Sequence, residues 1–291
     1  MILVGTASWA DNSLVRSGWY PEGCRSAEDR LRHYASQFPL VEVDSTYYFP
    51  PRPDVVRAWV ARTPEAFTFD VKAFSLLTQH PTNPDALPEG GAPAGKKRVY
   101  LKDVDAGVVD EVWDRFLSAL QPLRRAGKLG ALLFQFPPWF ILKGANKTYV
   151  LECARRAEPF RICVEFRHPT WTAEENVDET TELLERAGIA YVIVDMPQRM
   201  KGSIPAITVV TSKQLAVVRL HGRNRQGFEA KSFQGLTDYR YTPAQLEAWV
   251  SKLRDLREGA EAVHVVFRNA HADYAVRNAA ELLRLLGAGV S

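Results

Sequence analysis

The side chains of this 291-residue chain best suited to chemistry sit inside short apolar runs, two residues apart. Glu42 and Asp44, Asp70 and Lys72, Glu165 and Arg167, and Arg219 and His221 each form such a pair, and Gln135, Asp195 and Asn269 each end another run. Along a strand, residues two apart share a face. Val41 and Val43 therefore take one face and leave Glu42 and Asp44 on the other; Phe69 and Val71 do the same for Asp70 and Lys72. Carboxylates gathered beside a lysine and arginines can bind an anionic or polyhydroxyl ligand and move protons on it. Lys72 and Arg219 would hold substrate oxygens, Glu165 and Asp195 would transfer protons, His221 would assist, and Gln135 and Asn269 would orient by hydrogen bonds. An inward lysine such as Lys72 either holds an anionic oxygen or acts as a base at depressed pKa. The competing reading is that Glu42, Glu165 and Arg219 form a buried ion network that only fills space.

Aromatic residues follow the same runs: Trp9, Trp19 and Tyr20; Tyr47, Tyr48 and Phe49; Trp139 and Phe140; Trp171. Trp9, Tyr47 and Trp171 are the candidate walls, suited to a sugar face or a base; the alternative is that they cap the fold and pack on loops. Asp44 and Arg167 join the substrate-binding candidates. Of the six histidines, His33 and His264 read as helical or helix-facing, while His80, His168, His221 and His271 follow runs and could reach the site. No zinc spacing, P-loop, G-x-S-x-G or catalytic cysteine arrangement occurs. A divalent metal on Asp44, Glu165, Asp195 and His221 is geometrically conceivable but not favoured, and the sequence names no cofactor.

What must position these groups is a set of eight apolar runs: 2–9, 40–45, 67–73, 129–136, 161–167, 190–195, 215–221 and 262–269. Near-continuous apolar character suits strands covered on both faces. Amphipathic stretches lie between most of them, with capping-box starts at Thr172–Glu175 and Thr242–Gln245 and stops at Gly127, Gly188, Gly259 and Gly287. Strand–helix alternation repeated eight times and ending on a helix (272–286) predicts a closed α/β barrel of the (β/α)8 TIM type occupying residues 1–291 as one domain. The runner-up, a doubly wound open sheet, would show a Gly-rich first turn, and Ser8–Asp11 is not one. Residues 80–104 read as a long loop after the third strand, functional or disordered, and 196–214 as an irregular sixth unit. Parity then puts polar groups on the inward face of seven strands near their C-terminal ends, where such barrels carry their sites. It sends Arg268 outward to the helices.

Composition narrows the classes. Hydrophobic residues make up 46 % and charged residues 24 %, with a net charge of +3, which permits an anionic ligand but is no nucleic-acid footprint. Three cysteines without C-x-x-C spacing fit a reducing compartment. The first nine residues lack a basic leader segment, and no run approaches the ~20 apolar residues of a membrane span. A cytoplasmic protein with a small-molecule substrate and no membrane partner is expected; nucleic acid is a weakly supported partner.

Several blocks resemble the YecE-like family, a domain of unknown function (number 72): Gly5–Trp9, Gly18–Pro21, Val41–Tyr48, Phe69–Lys72, Leu133–Pro138, Val164–Trp171, Val218–Gly222 and Phe267–Asn269. The resemblance spans nearly the whole chain and implies a TIM barrel, but no particular reaction. Asp44 and Arg268 stand where that family's pattern has Asn. The leading expectation is an enzyme, isomerase or hydrolase, acting by acid–base chemistry on an anionic or polyhydroxyl substrate such as a sugar or phosphate compound. The alternatives are a metal-dependent nuclease and a non-catalytic ligand-binding barrel.

Overall fold

Strands that are apolar at successive positions are stable only with both faces covered, and closure into a barrel ringed by helices supplies that cover. The structure, a computed structural model, describes residues 1–230 and 233–287. Its strands are β1 (Ile2–Ala7), β2 (Leu40–Val43), β3 (Thr68–Lys72), β4 (Leu129–Gln135), β5 (Ile162–Glu165), β6 (Ala190–Asp195), β7 (Leu215–Leu220) and β8 (Ala262–Phe267). They pair parallel in chain order, and β1 returns onto β8 from Ile2↔Val263 to Thr6↔Phe267, closing the ring. The fold is the expected (β/α)8 TIM-type barrel.

The helices are α1 (Asn12–Arg16) and α2 (Ala27–Gln37) after β1, α3 (Pro53–Ala61) after β2, α4 (Ala106–Arg125) after β3, α5 (Gly144–Ala157) after β4 and α6 (Val177–Arg186) after β5. After β7 come α7 (Arg225–Glu229), α8 (Phe233–Thr237) and α9 (Pro243–Gly259), and α10 (Tyr274–Gly287) follows β8. Residues 196–214, all of them described, hold no helix, as expected of an irregular sixth unit. Thr242 and Gln245 form the expected capping box on α9. The box expected at Thr172 does not form: α6 starts at Val177 behind Asn176, and Thr172 is buried at the end of a 3₁₀ turn, its hydroxyl bonded to the Pro169 carbonyl. Gly127 and Gly188, with φ of 67° and 65°, close α4 and α6 in the left-handed region that β-carbons disfavour.

The loop after β3 is ordered. Thr82 and Val99 exchange backbone hydrogen bonds of 2.8 and 3.0 Å, and the Thr82 hydroxyl meets that of Ser75 at 2.9 Å, pinning the loop to the rim.

Val4, Val41, Val43, Phe69, Val71, Phe134, Val164 and Val218 join the large core between barrel and helices. The interior splits. One apolar group comes from Ala7, Leu40 and Val266, another from Ala131, Leu133, Cys163, Ala190, Val192, Val194, Leu215 and Val217. Charged side chains run between them. Asp70 and His264 form the lower part of that seam, with His264 Nδ1 2.9 Å from Asp70 Oδ2. His264 was expected to face the helices; it points inward. Gly130 makes room for the pair, because a β-carbon there would lie 2.7 Å from His264 Cε1.

Candidate functional site

Above that pair the charged seam widens into a network at the C-terminal strand ends. Glu42 on β2 and Glu165 on β5 flank Arg219 on β7, and all three are at most 1 % exposed. Arg219 grips Glu42 with two bonds, Nε to Oε2 at 2.8 Å and Nη2 to Oε1 at 2.6 Å, and donates Nη1 to Glu165 Oε2. Bidentate guanidinium–carboxylate geometry is the strongest form of such pairing. The other Glu165 oxygen accepts from Gln135 Nε2 at 2.6 Å and Arg167 Nη1 at 3.1 Å, with His221 Nε2 3.3 Å away. Burial works against the Glu165 carboxylate, yet Arg219, His221 and Arg167 together hold its pKa well below the ordinary value. His221 goes the other way: burial pushes its imidazole down to about 3, so the ring is neutral near pH 7.

Lys72 at the end of β3 touches this network only through Gln135, whose Oε1 accepts from Nζ at 2.9 Å. Lys72 and Glu165, both placed inside the barrel by parity, meet through a relay, because Gln135 stands between them in register with Glu165. Among the described residues no carboxylate lies within ion-pair distance of the amine. Burial, with Arg268 and Arg219 nearby, brings its pKa down to about 7. The Tyr47 ring covers it at 4.4 Å. Local chemistry sets that placement: the 3₁₀ turn Ser45–Tyr47 follows β2 directly, and the Thr46 hydroxyl bonds the carbonyls of Val43 at 3.0 Å and Lys72 at 2.6 Å. Tyr47 meets His80 edge-on at 5.2 Å, and His80 meets the exposed Trp139 at 6.0 Å, so a wall of rings rises beside the amine.

Asp44 also faces the mouth. Burial and the Glu42 charge raise its pKa, while Arg268, Lys72 and Arg219 oppose the rise.

Of the expected site residues, Lys72, Asp44, Tyr47, Gln135, Glu165, Arg167, Arg219 and His221 converge. Four do not. Asp195 faces the helix layer, since Ala190, Val192 and Val194 are the inward set of β6; it accepts both 3.0 Å bonds from Arg223 Nε and one from Trp249 of α9 at 3.3 Å. Asn269 likewise points outward, donating to the Tyr239 carbonyl at 2.7 Å and to Asn278 of α10 at 3.0 Å. Its neighbour Arg268, expected outside, is the residue electrostatically coupled to Arg219, Glu42, Glu165 and Arg167. Both departures from the family pattern, Asp44 and Arg268, thus meet at the mouth.

Trp9 packs against Trp59 of α3 at 5.8 Å and Phe69 at 6.4 Å, within the helix layer. Trp171 is fully buried, stacked on Phe166 at 3.9 Å and donating to the Phe140 carbonyl at 2.6 Å. Both are packing residues, not walls. His168 caps the turn after β5 through Thr170, and the half-buried His271 lies 3.8 Å from Asp238, so neither takes part. The four donors considered for a metal do not converge, because Asp195 is on the far side of its strand and both Glu165 oxygens are engaged. No group of three or more His, Cys, Asp or Glu placed to hold a metal occurs among the described residues. No helix there is long and apolar enough to cross a membrane, and the three cysteines are unpaired.

A parallel eight-stranded barrel with a buried Glu–Arg–Glu floor and a lysine at its rim defines the class of protein. Residues 3–291 match the sequence pattern of the family described as "Protein of unknown function DUF72", and the chain belongs to that family. It is 31 % identical over 291 residues to the UPF0759 protein YunF of Bacillus subtilis, covering 98 % of this chain and 95 % of that one. Among solved structures it is similar to a DUF72 family protein from Enterococcus faecalis V583 (26 % identity, TM-score 0.82, 99 % and 96 % of the two chains). A DUF72 family protein from Thermotoga maritima MSB8 is also similar (28 %, TM-score 0.78, 99 % of each chain).

Proposed function

We propose that the barrel mouth is an active site that binds an anionic or polyhydroxyl substrate, a sugar or phosphate compound, and transforms it by acid–base chemistry. One observation carries the reading: Lys72 is 6 % exposed at a strand end, yet its amine has no carboxylate partner among the described residues. Buried charges in proteins are almost always paired or fully hydrogen-bonded, so a lysine serving structure alone would sit against a carboxylate or give all its protons to oxygen acceptors, as Lys128 does. An amine titrating near neutrality is matched to proton transfer at the pH of the cell.

In this reading Arg167 and Arg268 at the rim bind the anionic oxygens, and Gln135 orients Lys72. The Glu42–Arg219–Glu165 floor fixes the field beneath, and Tyr47, His80 and Trp139 form the wall. Lys72 and Asp44 take the proton transfers. Glu165, held ionised by Arg219, sets the electrostatics, and His221 stays neutral beside it.

Thermal melts titrated with inorganic phosphate and with sugar phosphates test this. A ligand at about 100 times its Kd adds ~2.7 kcal/mol of stability. Stabilisation that is lost in Arg167→Gln and Arg268→Gln proteins is the expected result. No shift in the parent protein, or one as large in both variants as in the parent, would refute the reading.

A further inference from the structure

We propose that Lys72 is a covalent catalyst whose Nζ condenses with the carbonyl group of a compound bearing a carboxylate or phosphate, forming a Schiff base at the barrel mouth. The proposal deepens the acid–base reading and rests on it. Its first support is a comparison of two buried lysines in this chain. Lys128, 5 % exposed, spends all three ammonium protons, donating to the carbonyls of Val60 and Thr63 at 2.8 Å each and to the Thr63 hydroxyl at 3.1 Å. That is how a buried ammonium group is satisfied by hydrogen bonds. Among the described residues Lys72 donates a single hydrogen bond, to Gln135, and otherwise meets the face of the Tyr47 ring. The ring attracts the charged form, but burial and two protons without an acceptor among the described residues favour a free amine, and only a free amine has the lone pair that attacks a carbonyl carbon.

The second support is register. Val43 of β2 is aligned with Val71 of β3, so Asp44, where the chain turns off just past β2, and Lys72, the last residue of β3, stand at the same strand end. The two are electrostatically coupled without being in ion-pair contact, so a carbonyl group bound between them would meet the amine on one side and the carboxyl on the other. Burial and Glu42 raise the Asp44 pKa, making that carboxyl a usable acid. The third is the pair of rim guanidinia, Arg167 and Arg268, which suit the anionic group and would turn the carbonyl inward.

The steps balance without a co-reactant. The Nζ lone pair forms the C–N bond, the carbonyl π pair moves to oxygen, and the Asp44 carboxyl protonates that oxygen while the nitrogen gives up a proton to the resulting carboxylate. Asp44 then protonates the carbinol hydroxyl, which leaves as water as the nitrogen lone pair forms the C=N bond. The protonated imine withdraws electrons from the neighbouring carbon and acidifies its C–H bond, which links the covalent step to proton transfer.

Sodium borohydride trapping decides it, with glyoxylate, pyruvate and dihydroxyacetone phosphate as probes and peptide mass spectrometry as readout. Reduction fixes an adduct heavier by the carbonyl compound less one oxygen. Expected is an adduct at Lys72, competed by inorganic phosphate, slower to form in Asp44→Asn and missing from Lys72→Arg, which keeps the charge. Labelling confined to other lysines, equal labelling of Lys128, or no adduct with any probe would overturn the proposal. Phosphate stabilisation that persists without an adduct overturns the covalent step alone; loss of both removes the acid–base reading as well.

Discussion

Replacing Arg219 with methionine keeps most of the side-chain volume but removes the cation that two buried carboxylates share. Glu42 would lose bonds of 2.8 and 2.6 Å, and Glu165 would lose its Nη1 contact while keeping Gln135 and Arg167. Breaking a buried ion pair from one side costs about 3–5 kcal/mol, because the partner stays charged and desolvated. Each kcal/mol moves Tm by about 2–4 °C in a chain of roughly this length, so a fall of about 6–20 °C is expected by differential scanning calorimetry. The sign of the pH response should also reverse. In the parent protein the Glu165 pKa lies below its unfolded value, so its contribution is full above the unfolded pKa and fades as pH falls through the window beneath. With Arg219 gone, burial raises the carboxylate pKa values, and mild acid stabilises the variant instead. Glu42→Gln and Glu165→Gln added together to Arg219→Met should recover much of the loss. A drop under about 1 kcal/mol, or no recovery in the triple variant, would refute the idea that the floor is a mutually dependent network.

Two further outcomes are expected. Lys72 has a folded pKa of about 7 against the ordinary lysine value of 10.5, so the unfolded chain holds the proton over the interval between them; stability relative to Lys72→Met should rise with pH across that interval, and parallel pH profiles of the two proteins would refute the burial of a titrating amine. Asp195→Asn should lower stability by about 1–3 kcal/mol through its bonds to Arg223 and Trp249, yet leave phosphate-dependent stabilisation unchanged, and a lost ligand response would return Asp195 to the site.

The barrel was legible because its strands are covered on both faces and carry that fact as continuous apolar runs. Inward parity was legible on β2, β3 and β5, where bulky apolar residues alternate with charges. On β6 and β8 both faces are apolar: Val192 and Val194 face inward while Ile193 joins the helix-side core, and Val266 faces inward while Val263 and Val265 face out. A polar residue at such a strand end has no pattern to lean on, which is why Asp195 and Asn269 read as inward and Arg268 as outward. The large ring of Phe267 was the available signal, since it belongs in the helix layer and forces Arg268 to the mouth. Trp9 and Trp171 were misread for a different reason. The chain turns sharply after β1, where Ser8 has φ of 96°, and after β5 through a 3₁₀ turn, and each turn carries its tryptophan into the helix layer. Backbone path past a strand end is not written in periodicity.

The irregular sixth unit has a consequence for what can enter. Met196 and Ile204, joined by a bond from the Ile204 amide to the Met196 sulfur at 3.2 Å, pack with Val194 and Phe228 against the interior. The crown of the barrel is therefore lopsided: greasy and stoppered over β6, polar and approachable from β2 to β5. Under the proposed function, a substrate would come in past Tyr47 and Trp139, with its charged end leading toward Lys72. Under the same proposal, trimming Met196 or Ile204 would open the crown from its apolar side, so a change in the size of molecule admitted could arise in the stopper while the ionic floor stays as it is.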